Sequence, residues 1–212
     1  MFNAFVMQRH AIGLETCSTS ARSSAPDLRD HLRSATSEVH ERLHHHPGLA
    51  AVQTGMIGKT AYTALLRRLY GFHRPFEMMA GLLPVRTIWL ERDLIDLGVD
   101  PGSIAFLPHA LAFPAQASPE YLLGARYVVE GSALGGRGLA RQLDGLLGHG
   151  VTAGRRFFAG HGAETGAQWR AYLDQLWNAP TGLAAQTESV AGATRTFAIF
   201  EQWLEGWNDW HD

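Results

Sequence analysis

The sequence predicts an all-α protein built as one helical-bundle domain, and three observations lead there. Apolar residues recur at steps of three and four along most of the chain, which places them on single faces of successive helices. Strand-like alternation is scarce. A length of 212 residues with 46% hydrophobic content suffices for one substantial core.

Residues 1–25 read as a flexible tail preceding a domain over 26–212. The segment STSARSSAP (18–26) is small, polar and closed by proline, as a linker is. The start, MFNAFVMQRHAIGLETC, has no basic leader, and Gln8, Arg9 and His10 interrupt its apolar residues, so it makes a poor signal peptide. Cys17 is the one cysteine. With no disulfide possible within the chain, a reducing, cytoplasmic setting is expected.

The first helix is expected to start near Pro26 or Asp27, with Leu28, Leu32, Ala35, Val39 and Leu43 on its apolar face and Pro47-Gly48 ending it. A second should follow Thr60 as N-cap and run through AYTALLRRLYGFHRPFEMMAGLL, with Pro75 as a possible kink. A third, VRTIWLERDLIDLG, ends with Gly98 at C′. Residues 99–117 read as a loop punctuated by prolines. Ser118, Pro119 and Glu120 then supply an N-cap, a first-turn proline and a first-turn acid for a helix over 119–147. A short piece near 151–160, a helix over 164–177 and a last one over 182–208 complete six to eight helices.

Net charge is -2 with a pI near 6.6, which leaves no basic face for nucleic acid. No apolar run approaches the roughly 18 residues of a membrane span, so no membrane partner is expected.

The helix from Ser118 raises a physical question. Gly131, Gly135, Gly136 and Gly138 lie in its interior, and each costs about 1 kcal/mol against alanine. Two readings account for that loss. Missing side chains allow close helix–helix packing, or they open a groove across which a flat ligand lies while the helix flexes. On the first helix, Arg33 and His40 are seven residues apart and share a face. An imidazole and a guanidinium so placed can hold a metal centre and an acidic group of one ligand, although a lone histidine there is more often a boundary residue. His44, His45 and His46 are consecutive and point apart, so they read as cations favoured at a helix C-terminus; His73 reads as packed.

These segments together resemble the heme oxygenase family. LRSATSEVHERL resembles its proximal helix, LYGFHRPFE its second and ERDLIDLG its third. YVVEGSALGG resembles the distal helix of the bacterial, biliverdin-producing branch, and FFAGHGAETGAQW and TFAIFEQWL its C-terminal helices. The resemblance spans residues 27–207. It implies a heme-oxygenase-like bundle that cleaves heme to biliverdin, carbon monoxide and iron. Heme is then both substrate and cofactor, and an external donor, a ferredoxin or reductase, supplies electrons. It further implies an enzyme of the kind that often accompanies bacteriophytochromes, with such a phytochrome as biliverdin acceptor.

By the same resemblance His40 is the iron ligand, Gly131, Gly135 and Gly136 lie over the distal face, and Arg33 faces a heme propionate. Arg126, Tyr127 and Arg170 are further candidates for the pocket rim. Ser132 departs from the mammalian pattern, which has an aspartate there; an ordered water held by Ser132 or by a more distant His or Arg can carry the proton instead. Glu130 reads either as part of the site or as a structural ion pair. Di-iron oxidase chemistry, the first rival within the superfamily, needs several Glu-x-x-His pairs, and only Glu41 with His44 forms one. A thiaminase-like activity needs a nucleophilic cysteine, and Cys17 stands in the tail. A heme-binding protein that sequesters heme without cleaving it is the non-enzyme alternative.

Overall fold

The computed structural model describes residues 27–208. Every regular element among them is helical, as the spacing of apolar residues predicts. The tail over 1–25 and Cys17 lie outside the described residues.

Helix α1 (Leu28–His44) begins where expected: the Asp27 carboxylate accepts from the Asp30 amide at 2.9 Å. Pro47 does end the helical register, but it also opens α2 (Pro47–Gln53), a short helix that the apolar pattern does not announce. Helix α3 (Lys59–Met79) starts from Gly58 rather than Thr60. It stops four residues short of the predicted end, because Gly81 adopts φ +62° and closes a Schellman motif with Leu82 N–H on Glu77 O and Gly81 N–H on Met78 O. Pro75 lies inside α3. The amide it lacks would have bonded Gly71 O, and the Ala110 amide takes that carbonyl at 2.9 Å instead.

Helix α4 (Val85–Asp96) ends at Gly98 as expected, with Val99 N–H on Leu94 O. Within the predicted loop lies a single turn, α5 (Pro101–Ile104), capped by Asp100. Helix α6 (Pro119–Gln142) is launched by Ser118, whose hydroxyl accepts from the Tyr121 amide. The predicted helix over 119–147 is broken at fully buried Leu143, and α7 (Asp144–Leu147) follows. The buried Arg155 guanidinium explains the break: it donates to Ala140 O at 2.8 Å, to Gly148 O at 2.6 Å and to the Asp144 carboxylate. The chain closes with α8 (Arg156–Ala159), a 3-10 turn over Gly162–Glu164, α9 (Thr165–Trp177) and α10 (Leu183–Leu204).

Helix α10 packs along both α6 and α1, α3 pairs with α4, α8 bridges α4 and α6, and α9 lies on α6 and touches α1. The α6–α10 crossing depends on two glycines. A Cβ on Gly124 would lie 1.6 Å from Ser189 O, and one on Gly192 would lie 2.1 Å from Tyr121 O. No side chain fits between these backbones.

Two buried carboxylates set the remaining helices. Glu77, on α3, accepts from the Arg86 amide at 2.9 Å and from the Thr87 amide and hydroxyl at 3.1 and 2.6 Å, so it caps the N-terminus of α4 in place of Pro84. Asp93, on α4, accepts from the Arg156 and Phe157 amides, each at 2.9 Å, and caps α8. Burial pushes the Asp93 carboxyl above its usual range, and those amides together with the Arg156 guanidinium oppose the push.

Candidate functional site

Helix α1 buries Leu28, Leu32, Thr36 and Leu43. One flank over from that stripe come Arg29, Arg33, His40 and His44, at helical steps of four and seven. Arg33 and His40 are both exposed. The His40 ring meets His44 edge to face, centroids 4.6 Å apart, and Phe197 of α10 at 6.4 Å. Partial desolvation by the surrounding packing, and then the neighbouring His44, hold His40 below the usual histidine range against an upward pull from Glu41. The shift favours the neutral imidazole, the form that ligates a metal.

Tyr127 of α6 is buried, its ring tilted against Trp169 with centroids 5.9 Å apart. Burial raises its phenol above the usual range, and Arg29 and Arg33 act against that rise. Both guanidiniums are thus within electrostatic range of the Tyr127 phenol. Arg126 goes elsewhere. It donates to Gln175 at 3.1 Å, lies over the Tyr172 ring at 5.4 Å and stands 4.0 Å from Glu130. Arg170 is exposed on α9.

The glycines of α6 divide by neighbour. A Cβ at Gly131 would meet the Trp169 ring at 3.7 Å, an ordinary contact. Gly135 is buried. At Gly136 a Cβ would lie 2.8 Å from Phe158 O, so this glycine admits the backbone of α8. Gly138 has open space beside it. The packing reading thus accounts for Gly136, while Gly131 leaves room for a methyl group beneath an aromatic ring.

The Ser132 hydroxyl donates to Val129 O at 2.8 Å on its own helix. Glu130 forms a hydrogen-bonded pair with Arg86 at 2.8 Å, which is the structural alternative of the two readings. His73 is buried, between Phe72 and Phe157, with no partner on Nδ1. His45 lies 3.5 Å from Glu41, and His46 Nε2 lies 3.3 Å from Leu204 O, so the three consecutive histidines diverge. No group of three His, Cys, Asp or Glu among the described residues could hold a metal ion. On the far flank of α1, away from His40, Ala35, Val39, Ala198 and the Arg42–Glu201 pair line a groove of about 200 Å³ against α10.

Sequence reasoning passed over Arg29, Trp169 and Arg86. Arg29 carried a usable signal, since it stands four residues before Arg33 on one face. Trp169 had none, because its contact with Gly131 crosses from one helix to another.

The fold is that of a solved heme oxygenase from Leptospira interrogans, to which the chain is similar with a TM-score of 0.71 at 18% identity, over 87% of this chain and all of that one. No curated protein sequence matches it significantly. The family model for heme oxygenase matches residues 26–206, and the chain belongs to the heme oxygenase family. Membership supports heme degradation as the general function and heme as the bound group. Among the described residues no helix is long and apolar enough to cross a membrane.

Proposed function

We propose that this protein cleaves heme to biliverdin, carbon monoxide and iron, with oxygen as co-substrate and electrons from a separate ferredoxin or reductase. One observation carries the reading beyond family membership. On a single flank of α1, the exposed His40 ring packs edge to face on His44 and near Phe197, and Arg29 and Arg33 lie on the same flank.

The donor set fits heme. His40 offers a nitrogen to iron, and Arg33 with Arg29 offers cationic donors to carboxylates. Heme, when bound, supplies the iron that activates oxygen and the ring that is oxidised. Each residue of the site then has a task. Tyr127, buried against Trp169 of α9, lies within electrostatic range of the two guanidiniums. Arg170 extends the rim. Arg126, engaged with Gln175 and Tyr172, braces α6 on α9. Gly131, with Gly135 and Gly136, keeps side chains off its stretch of α6. Ser132 has its proton committed to Val129 O, so its hydroxyl acts as a water acceptor rather than as an acid.

The absence of a carboxylate at 132 favours, as a second reading, a heme-binding protein that does not cleave its ligand. Reconstitution with hemin, followed by ascorbate and oxygen in the presence of an iron chelator, separates the two. Loss of the Soret band with a rise of verdin absorbance in the red is the expected result. A Soret band that persists would leave the binder, and no Soret band at all would remove both.

A further inference from the structure

Helix α9 grips α6 through a series of side chains. The Tyr172 hydroxyl donates to Leu123 O at 2.6 Å, Arg126 donates to Gln175 and lies over the Tyr172 ring, and Tyr127 tilts against Trp169. The series reaches Gly131, where a Cβ would stand 3.7 and 3.8 Å from Cη2 and Cζ3 of Trp169, both on its six-membered ring. Trp169 is itself held in place. It is buried, with Tyr127 at 5.9 Å and 50° and Tyr172 stacked at 5.6 Å and 27°. A large flat side chain packed in this way keeps one orientation. Further along α6 the neighbour changes in kind: at Gly136 it is the Phe158 carbonyl of α8.

We propose that Trp169 is the positioning residue for the Gly131 stretch of α6: its indole sets how close that backbone comes to bound heme, and so which ring carbon is attacked. This rests on the reading of the chain as a heme oxygenase with Gly131 over the ligand. A glycine has no side chain with which to space its own backbone from its surroundings, so a neighbour must do it. The outer edge of the indole is the part that reaches Gly131. A phenylalanine at 169 would keep a ring against Tyr127 but end short of that edge, and the helix would relax partly into the space left. Tyr172 holds the same two helices together about two turns earlier, at Leu123. Loss of its hydroxyl loosens the interface without changing what stands beside Gly131.

The test compares wild type, Trp169→Phe and Tyr172→Phe after reconstitution with hemin. It reads the apo melting curve, the C–O stretching frequency of the ferrous form under added carbon monoxide, and the ratio of verdin isomers. Tyr172→Phe should lower the melting temperature and leave the stretch and the isomer ratio as in wild type. Trp169→Phe should keep its hemin affinity, shift the C–O stretch, change the isomer ratio and slow turnover by up to about 100-fold. A wild-type stretch and a wild-type ratio in Trp169→Phe overturn the proposal, whatever the melting curve shows. Equal shifts in both variants overturn it too, because the interface as a whole then sets the spacing. If Trp169→Phe does not fold, Trp169→Met, which fills the space with a flexible chain, is judged by the same two readings. Wild type that takes up no hemin removes the heme oxygenase reading itself, which is a separate failure.

Discussion

Glu130 and Arg86 form a 2.8 Å ion pair one residue before Gly131, with side chains only 16% and 11% exposed. Little water reaches either group, and Arg126 offers Glu130 only a weaker contact at 4.0 Å. Removal of one partner of a well-buried pair costs about 3–5 kcal/mol; this one keeps some solvent. Arg86→Ala should destabilise the protein by about 2–3 kcal/mol, and Arg86→Met combined with Glu130→Leu should recover most of that. Urea denaturation of the variants measures both.

Gly131 and Gly136 should respond with opposite sign. At Gly131 a methyl group makes an ordinary contact with Trp169, so Gly131→Ala should raise apo stability by up to about 1 kcal/mol through helix propensity while slowing heme turnover. At Gly136 a methyl group meets Phe158 O at 2.8 Å, so Gly136→Ala should destabilise by about 1–3 kcal/mol through overpacking. Thermal melts of the two apo variants, with turnover by verdin formation, check the contrast.

His73 predicts acid sensitivity. Full burial, helped by nearby Arg86, holds its pKa well below 6.5, so the folded protein keeps it neutral while the unfolded chain takes up a proton. Its contribution is complete above pH 6.5 and is lost as pH falls below that value. The slope approaches about 1.4 kcal/mol per pH unit. Stability measured in urea from pH 7 to 5.5 should fall accordingly, and His73→Phe should flatten the fall.

Arg29 and Arg33 should act together on hemin affinity. Both lie on the His40 flank of α1, and exposed charge pairs contribute at most about 1 kcal/mol each. Arg29→Ala with Arg33→Ala should therefore weaken hemin binding roughly 5- to 30-fold. The loss should shrink at high salt. Hemin titration at two ionic strengths reports both effects.

What could be read from the sequence was what local chemistry encodes. Asp27, Ser118 and Gly98 cap helices through their own neighbours, and each does so in the structure. The break at Leu143 was invisible because its cause, Arg155, is twelve residues further on. Helices α2 and α5 are too short to show a period, and Pro47 and Pro101 read equally well as loop residues. Gly81 ends α3 at a position inside the apolar run that continues through Leu82 and Leu83. Arg33 and His40 could be read as a pair because one helix carries both. The direction of Arg126 was not, since Gln175 and Tyr172 come from α9.

The carboxylates of Glu77 and Asp93 connect helices in series: α3 caps α4, α4 caps α8, and α8 rests its Phe158 carbonyl on Gly136. Positional error therefore accumulates along this series and reaches the glycine segment of α6. A substitution at Glu77 lies in another layer of the protein, yet it can alter turnover without touching a residue of the pocket. In a collection of inactive variants, Glu77 and Asp93 should recur beside the site itself, and their defects should appear as lost regiochemical precision before lost folding.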